Sequence, residues 1–136
     1  MKTRAGLSYL RVVVMAAALC LLAKMTGPQS SKAKLETDTA QLIKALVEMR
    51  MSLDVYRAQH KGQLPAANDS GDFARALTGQ VGQYGPYIRQ IPVNPFNGFD
   101  RVRFDGEPAG ANTAGWRLDT KTGVFQADND SAYAGL

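Results

Sequence analysis

The chain has 136 residues, 16 basic and 12 acidic side chains, a net charge of +4 and a single cysteine. That length suits one domain with an appendage, and a lone cysteine excludes an intramolecular disulfide. The basic residues are scattered, and two of them, Lys2 and Arg4, sit at the very start, so the pattern argues against a nucleic-acid partner.

The N-terminus opens with the basic stub Met1-Lys2-Thr3-Arg4-Ala5, continues Gly6-Leu7-Ser8-Tyr9-Leu10-Arg11, and is then apolar over residues 12–23. The apolar run alone is shorter than the ~20 residues a spanning helix needs. Extended over 7–27 it is long enough but carries Arg11 and Lys24. Lys24 lies near the end and can snorkel to the interface, whereas Arg11 is the costly charge. A conventional signal would place Lys2 and Arg4 in its n-region and 12–23 in its h-region. Leu22-Ala23-Lys24 and Lys24-Met25-Thr26 then make poor cleavage sites, and Leu19 is bulky for a lipoprotein signal at Cys20. An uncleaved anchor and a cut at the glycine that retains the apolar stretch are the other two readings.

After Gly27-Pro28-Gln29-Ser30-Ser31 the periodicity is helical. Leu35, Leu42, Leu46, Met49, Leu53 and Tyr56 recur at intervals that trace one apolar face, the usual mark of core packing. Lys44, Glu48, Arg50 and Asp54 fall mainly on other faces. The stripe is too short, and too poor in matched flanking charges, for a coiled coil. Gly62 and Pro65 predict a helix end near Lys61, with Pro28 a place for a bend. His60, the one histidine, falls at that C-terminus, where a cation suits the helix dipole.

From Gln63 the chain turns rich in Gly, Pro, Asn and aromatics. Phe73-Ala74-Arg75-Ala76-Leu77 predicts a short helix capped by Ser70 or Asp72. Tyr84-Gly85-Pro86-Tyr87-Ile88 and Ile91-Pro92-Val93-Asn94-Pro95-Phe96-Asn97-Gly98 predict an extended, turning loop. Its aromatics Tyr84, Tyr87, Phe96 and Phe99 are expected to cover a small core. Arg101-Val102-Arg103-Phe104 and Gly115-Trp116-Arg117-Leu118-Asp119 alternate as half-buried strands do. Val124-Phe125-Gln126-Ala127 follows a short turn ending in Gly123, a hairpin pattern with a bulge. A three-stranded antiparallel sheet covering the helix stripe is the expected packing, with a frayed polar tail from Asp128.

These pieces, in this order, resemble the type IV pilin-like proteins and the pseudopilins of type II secretion. Gly6 matches the residue before the family's cleavage site, and Leu7 the first mature residue, which is N-methylated there. Pro28 stands where many pilins bend. Tyr56, Gly62-Gln63-Leu64-Pro65, Tyr87-Ile88-Arg89-Gln90-Ile91-Pro92 and Asn94-Pro95-Phe96 follow the exit from the long helix in relatives of the major pseudopilin. Arg11 departs from the pattern, because the family usually holds there a Glu that neutralises a neighbour's N-terminal amine during assembly.

The resemblance implies an α+β pilin-like fold in three stretches: a leader over 1–6, a transmembrane and assembly helix over 7–27, and a periplasmic domain over 28–136. It implies a minor or divergent structural subunit of a secretion pseudopilus or related filament, held in the inner membrane by a single pass. The implied partners are a prepilin peptidase, other pilin subunits, an assembly platform and the lipid bilayer. No nucleophile set, phosphate loop or metal cluster is evident, so neither catalysis nor a cofactor is expected. Asp128 and Asp130 resemble the acidic calcium loop of major pseudopilins, although two carboxylates supply few of the oxygens calcium takes. The rival reading is a membrane-anchored periplasmic binding or adaptor domain that is neither processed nor polymerised.

Overall fold

The computed structural model describes residues 27–136, which form an α+β arrangement of one long helix, a short helix and a small sheet. The chain divides into two compact units, Met1–Thr37 and Asp38–Leu136. The described part of the first unit, residues 27–37, is the opening of the long helix α1 (Gly27–Gln59). There Thr37 Oγ1 donates to the carbonyl of Ala33 at 2.9 Å, and Leu35, expected on the core stripe, is exposed.

In the second unit α1 supplies the spine of the core. Leu42, Ala45, Leu46, Met49 and Leu53 are buried, with Tyr56 packed at their edge. The helix ends at Gln59, two residues before the expected Lys61. Lys61 and Gly62 take left-handed backbone (φ 56° and 81°), and the Gly62 N–H donates to Arg57 O at 2.7 Å, a capping role that suits glycine.

Helix α2 (Ser70–Thr78) buries Phe73 and Leu77. Its cap is Asp69, not Ser70 or Asp72: the Asp69 carboxylate accepts from the Asp72 N–H at 2.8 Å. Ser70 turns instead to the sheet, its hydroxyl accepting from Val102 N–H at 2.9 Å.

Strands β1 (Val102–Phe104), β2 (Trp116–Leu118) and β3 (Phe125–Ala127) form a sheet in the order β1-β2-β3. The expected antiparallel sheet is corrected to a mixed one. β2 and β3 are an antiparallel hairpin, but β1 runs parallel to β2, pairing Val102 with Trp116. A parallel neighbour needs a long return connection, and residues 105–115 supply it. That connection is held by Asp128, which accepts from the N–H groups of Gly110 and Ala111 at 3.0 and 3.2 Å. The N–H groups of Thr113 and Ala114 reach the other carboxylate oxygen at 3.3 and 3.2 Å.

The tail is likewise ordered rather than frayed. Asp130 caps the 3-10 turn Ser131–Tyr133, and Tyr133 lies 4.7 Å from the Phe96 ring. Trp116, Phe73, Phe125, Leu118 and Ala127 close the core with Ile88, Ile91 and Val102. Trp116 is fully buried and satisfies its indole N–H on Pro92 O at 2.7 Å.

Candidate functional site

The processing residues Gly6 and Leu7, and Arg11 with them, lie outside the described residues. Pro28 falls within α1, but the bend expected there involves preceding residues that are also outside. Among the described residues no helix is long and apolar enough to cross a membrane.

The surface feature that stands out is on α1, on the side away from its core stripe. Ile43, Val47, Met51 and Val55 are 44%, 48%, 63% and 49% exposed. Spaced by four, they form one continuous ridge of the kind that interdigitates between helices. Ala40 and Ala58 extend it at either end, and both are exposed. The six positions, 40, 43, 47, 51, 55 and 58, average the 3.6-residue period of an α-helix, so the stripe runs straight for about 27 Å. α1 is therefore apolar on two nearly opposite sides, one filled by the domain and one facing solvent. The first is the stripe that the sequence periodicity predicts, and the second is not among the sequence expectations. The ridge is visible in the sequence at the same period, but periodicity alone does not say which of two stripes meets the core.

Beside the ridge, α1 and the loop 83–87 enclose an open groove of about 520 Å³, lined by Glu48, Met51, Val55, Gln59, Tyr84, Pro86 and Tyr87. The Gly85–Pro86 peptide is cis. Its aromatic wall is tied to the helix end. His60 stacks on Tyr56 with centroids 3.9 Å apart and planes at 5°, while Tyr84 and Tyr87 lie 5.5 and 6.1 Å away. The His60 Nδ1 sits 2.9 Å from Tyr56 O. Tyr87 donates its hydroxyl to Gln59 Oε1 at 2.9 Å, and burial, with Tyr56 and Tyr84 beside it, raises the Tyr87 pKa above the ordinary phenol value. His60 is thus a packing residue that anchors the loop to the helix.

Asp128 and Asp130 do not act together. Asp130 accepts from Ala132 N–H at 2.9 Å, whereas Asp128 is fully buried in a ring of donors. Arg103 grips both Asp128 oxygens, through Nε at 2.8 Å and Nη2 at 2.6 Å. It also donates to the carbonyls of Asp105, Glu107 and Pro108. Burial pushes the Asp128 pKa up, but the Arg103 hydrogen bond and charge and the N–H groups of Gly110 and Ala114 outweigh it, leaving a net lowering. The same hydrogen bond raises Arg103. With its lone pairs filled by protein donors, Asp128 offers nothing to a cation, so the pair does not build the calcium loop its sequence resembles. Among the described residues no group of three or more His, Cys, Asp or Glu side chains is placed to hold a metal.

Compared with known proteins, the chain matches no family model, no curated protein and no solved structure.

Proposed function

We propose that the chain is a structural subunit, minor or divergent, of a type II secretion pseudopilus or a related type IV pilus-like filament. The observation that carries this reading is one of continuity. A basic leader, the Gly6-Leu7 junction and an apolar stretch are followed by a helix, Gly27–Gln59, whose second half is the spine of a small α+β domain. In this reading a prepilin peptidase cuts after Gly6 and methylates Leu7. The apolar segment holds the subunit in the inner membrane until assembly, with the domain in the periplasm. The apolar helices then pack inside a fibre that supports protein secretion, and the domain faces outward. The chain is not an enzyme but the substrate of one.

Arg11 favours a second reading, a membrane-anchored periplasmic adaptor that keeps its leader. A cation there faces a neighbour's N-terminal amine rather than neutralising it, which is unfavourable at low dielectric. Intact mass and N-terminal sequencing of protein taken from its native membrane separate the two. A methylated N-terminus at Leu7 is expected; retention of Met1 supports the adaptor, and a start beyond Ala23 overturns both. In the filament reading Arg11→Glu increases incorporation into fibres, and unchanged co-assembly refutes the charge argument.

A further inference from the structure

We infer that the groove between α1 and the loop 83–87 is a binding site for a proline-rich peptide in the polyproline II conformation, with a basic residue of that peptide seated on Glu48. Its basis is the groove alone, so the site goes beyond the filament-subunit reading and stands whether or not the leader is cut.

The groove is open, preformed and walled by rings. Met51 and Val55 of α1, both exposed, form its floor, and Tyr84, Pro86 and Tyr87 form its wall. Its volume of about 520 Å³ falls in the range of ligand sites. The loop is pinned before anything binds. The Tyr87 N–H donates to Leu77 O at 2.8 Å, Ser52 Oγ sits 3.2 Å from Tyr87 O, and Tyr84 exchanges backbone hydrogen bonds with Val81. A fixed wall spares the ligand the cost of ordering it. These bonds also use up the backbone groups of Tyr84 and Tyr87, so an added β-strand finds no continuous row of free N–H and C=O groups. Recognition falls to side chains. Gln59 Oε1 accepts from the Tyr87 hydroxyl at 2.9 Å, which leaves the Gln59 NH2 group as a donor. A helical ligand has its carbonyls occupied internally. A polyproline II segment has no internal hydrogen bonds, and its prolines carry carbonyls without N–H groups, so it brings the acceptors that such donors require. Its rings pack against aromatic side chains, the usual partners of such segments.

Charge at the far end selects what stands next to the prolines. Glu48 lines the groove and also an adjoining recess of about 270 Å³, whose other walls are Arg89, Gln90 and Pro92. Glu48 is exposed, and among the described residues its carboxylate takes no part in the ion pairs, which are those of Arg75, Arg103 and Arg117. Glu48 and Gln59 stand eleven positions apart on α1, about 16 Å. At about 3.1 Å per residue, polyproline II covers that distance in about five residues. A Lys or Arg at that spacing from the prolines reaches Glu48 with its aliphatic stem laid along Met51. Arg89 opens onto the same recess, so an acid beside that base finds a partner there and a second base is repelled. The ligand is therefore a proline pair with one base about five residues away, not a uniformly basic peptide.

Fluorescence anisotropy tests this with the full-length chain in detergent micelles and a labelled peptide holding a Pro-Pro pair and an Arg about five residues away. The two chain directions are tried as separate peptides. Saturable binding of one of them is expected, with a Kd below about 100 μM. Replacing both prolines by Gly and Ser, with the Arg kept, should weaken it at least about tenfold, and so should Tyr84→Ala. Val55→Arg fills the exposed floor without touching the aromatic cluster, and the same loss is expected. Glu48→Gln should weaken the Arg peptide about fivefold, leave a peptide with Gln in place of that Arg unchanged, and remove most of the salt dependence. Trp116 fluorescence during urea unfolding checks that each variant is folded. An absence of binding by both peptides up to about 1 mM overturns the site. Equal binding of the proline-free peptide reduces it to charge attraction and overturns the polyproline assignment. Equal losses for the Arg and Gln peptides in Glu48→Gln refute the seat for the base. Binding of a chitin oligosaccharide, with none of the peptides, gives the aromatic wall to a sugar and likewise overturns the proposal.

Discussion

At the scale of single residues, the decisive side chain is Asp128. A fully buried carboxylate is stable only when its oxygens are filled, and here Arg103 and the N–H groups of Gly110, Ala111, Thr113 and Ala114 fill them. Removing one partner leaves the other charge unmatched, so Asp128→Asn or Arg103→Ala should each cost about 3–5 kcal/mol, measured by urea unfolding. The sign with pH follows from the lowered Asp128 pKa. The group stabilises the fold above its unfolded value of about 3.9, and that stabilisation is lost as pH falls through the folded value. Asp105, lowered by Thr120, and Asp119, lowered by Thr122, act in the same direction. Urea midpoints should therefore drop steeply below about pH 4, with a shallower drop in Asp128→Asn. An unchanged acid limb in that variant would show that other groups set it.

At the scale of elements, α1 has two apolar faces with different consequences. Leu46 is buried and Val47 beside it is half exposed. Leu46→Ala should cost about 2–5 kcal/mol, while Val47→Ala should change stability by under about 0.5 kcal/mol, alanine being the better helix former. Comparable losses at both positions would refute a solvent-facing ridge. The sheet depends on a close approach at Gly115, just before β2, where a Cβ would collide with the backbone carbonyl of Phe99. Gly115 O also accepts from the fully buried Asn94 side chain at 2.9 Å. Because the obstacle is backbone rather than a flexible side chain, Gly115→Ala should destabilise by about 3 kcal/mol or more, read from the thermal midpoint.

At the scale of the whole molecule, the C-terminal segment closes the fold. Arg50 on α1 donates to Phe125 O through Nε and Nη2 and to Leu136 O at 2.6 Å. Gln126 Nε2 bonds Ala134 O at 2.7 Å, and the Tyr133 ring packs on Phe96. Deleting residues 131–136 should cost about 1–3 kcal/mol. The sole tryptophan, Trp116, is buried at the centre of the core, so its fluorescence reports the loss. A truncated chain with an unchanged midpoint would show that the segment only lies on the surface.

The order of elements and the core stripe of α1 are legible in the amino-acid sequence alone, because periodicity and glycine–proline punctuation are local properties. Leu42, Leu46, Met49 and Leu53 are buried where that stripe placed them, and the β2–β3 hairpin closes on Gly123 at φ 77°. The tertiary structure alone decided the direction of β1, the fate of the tail and the second face of α1. A strand's own residues do not encode whether its neighbour runs parallel; the return path does, and that path is held by Asp128 from far along the chain. A polar stretch such as Asp128-Asn129-Asp130 is solvated or buried according to the donors that converge on it, and here Arg103 and four backbone N–H groups arrive from another segment. The ridge of Ile43, Val47, Met51 and Val55 has the same 3.6-residue period as the core stripe. Only the packing of the domain against one side of the helix left the other side open.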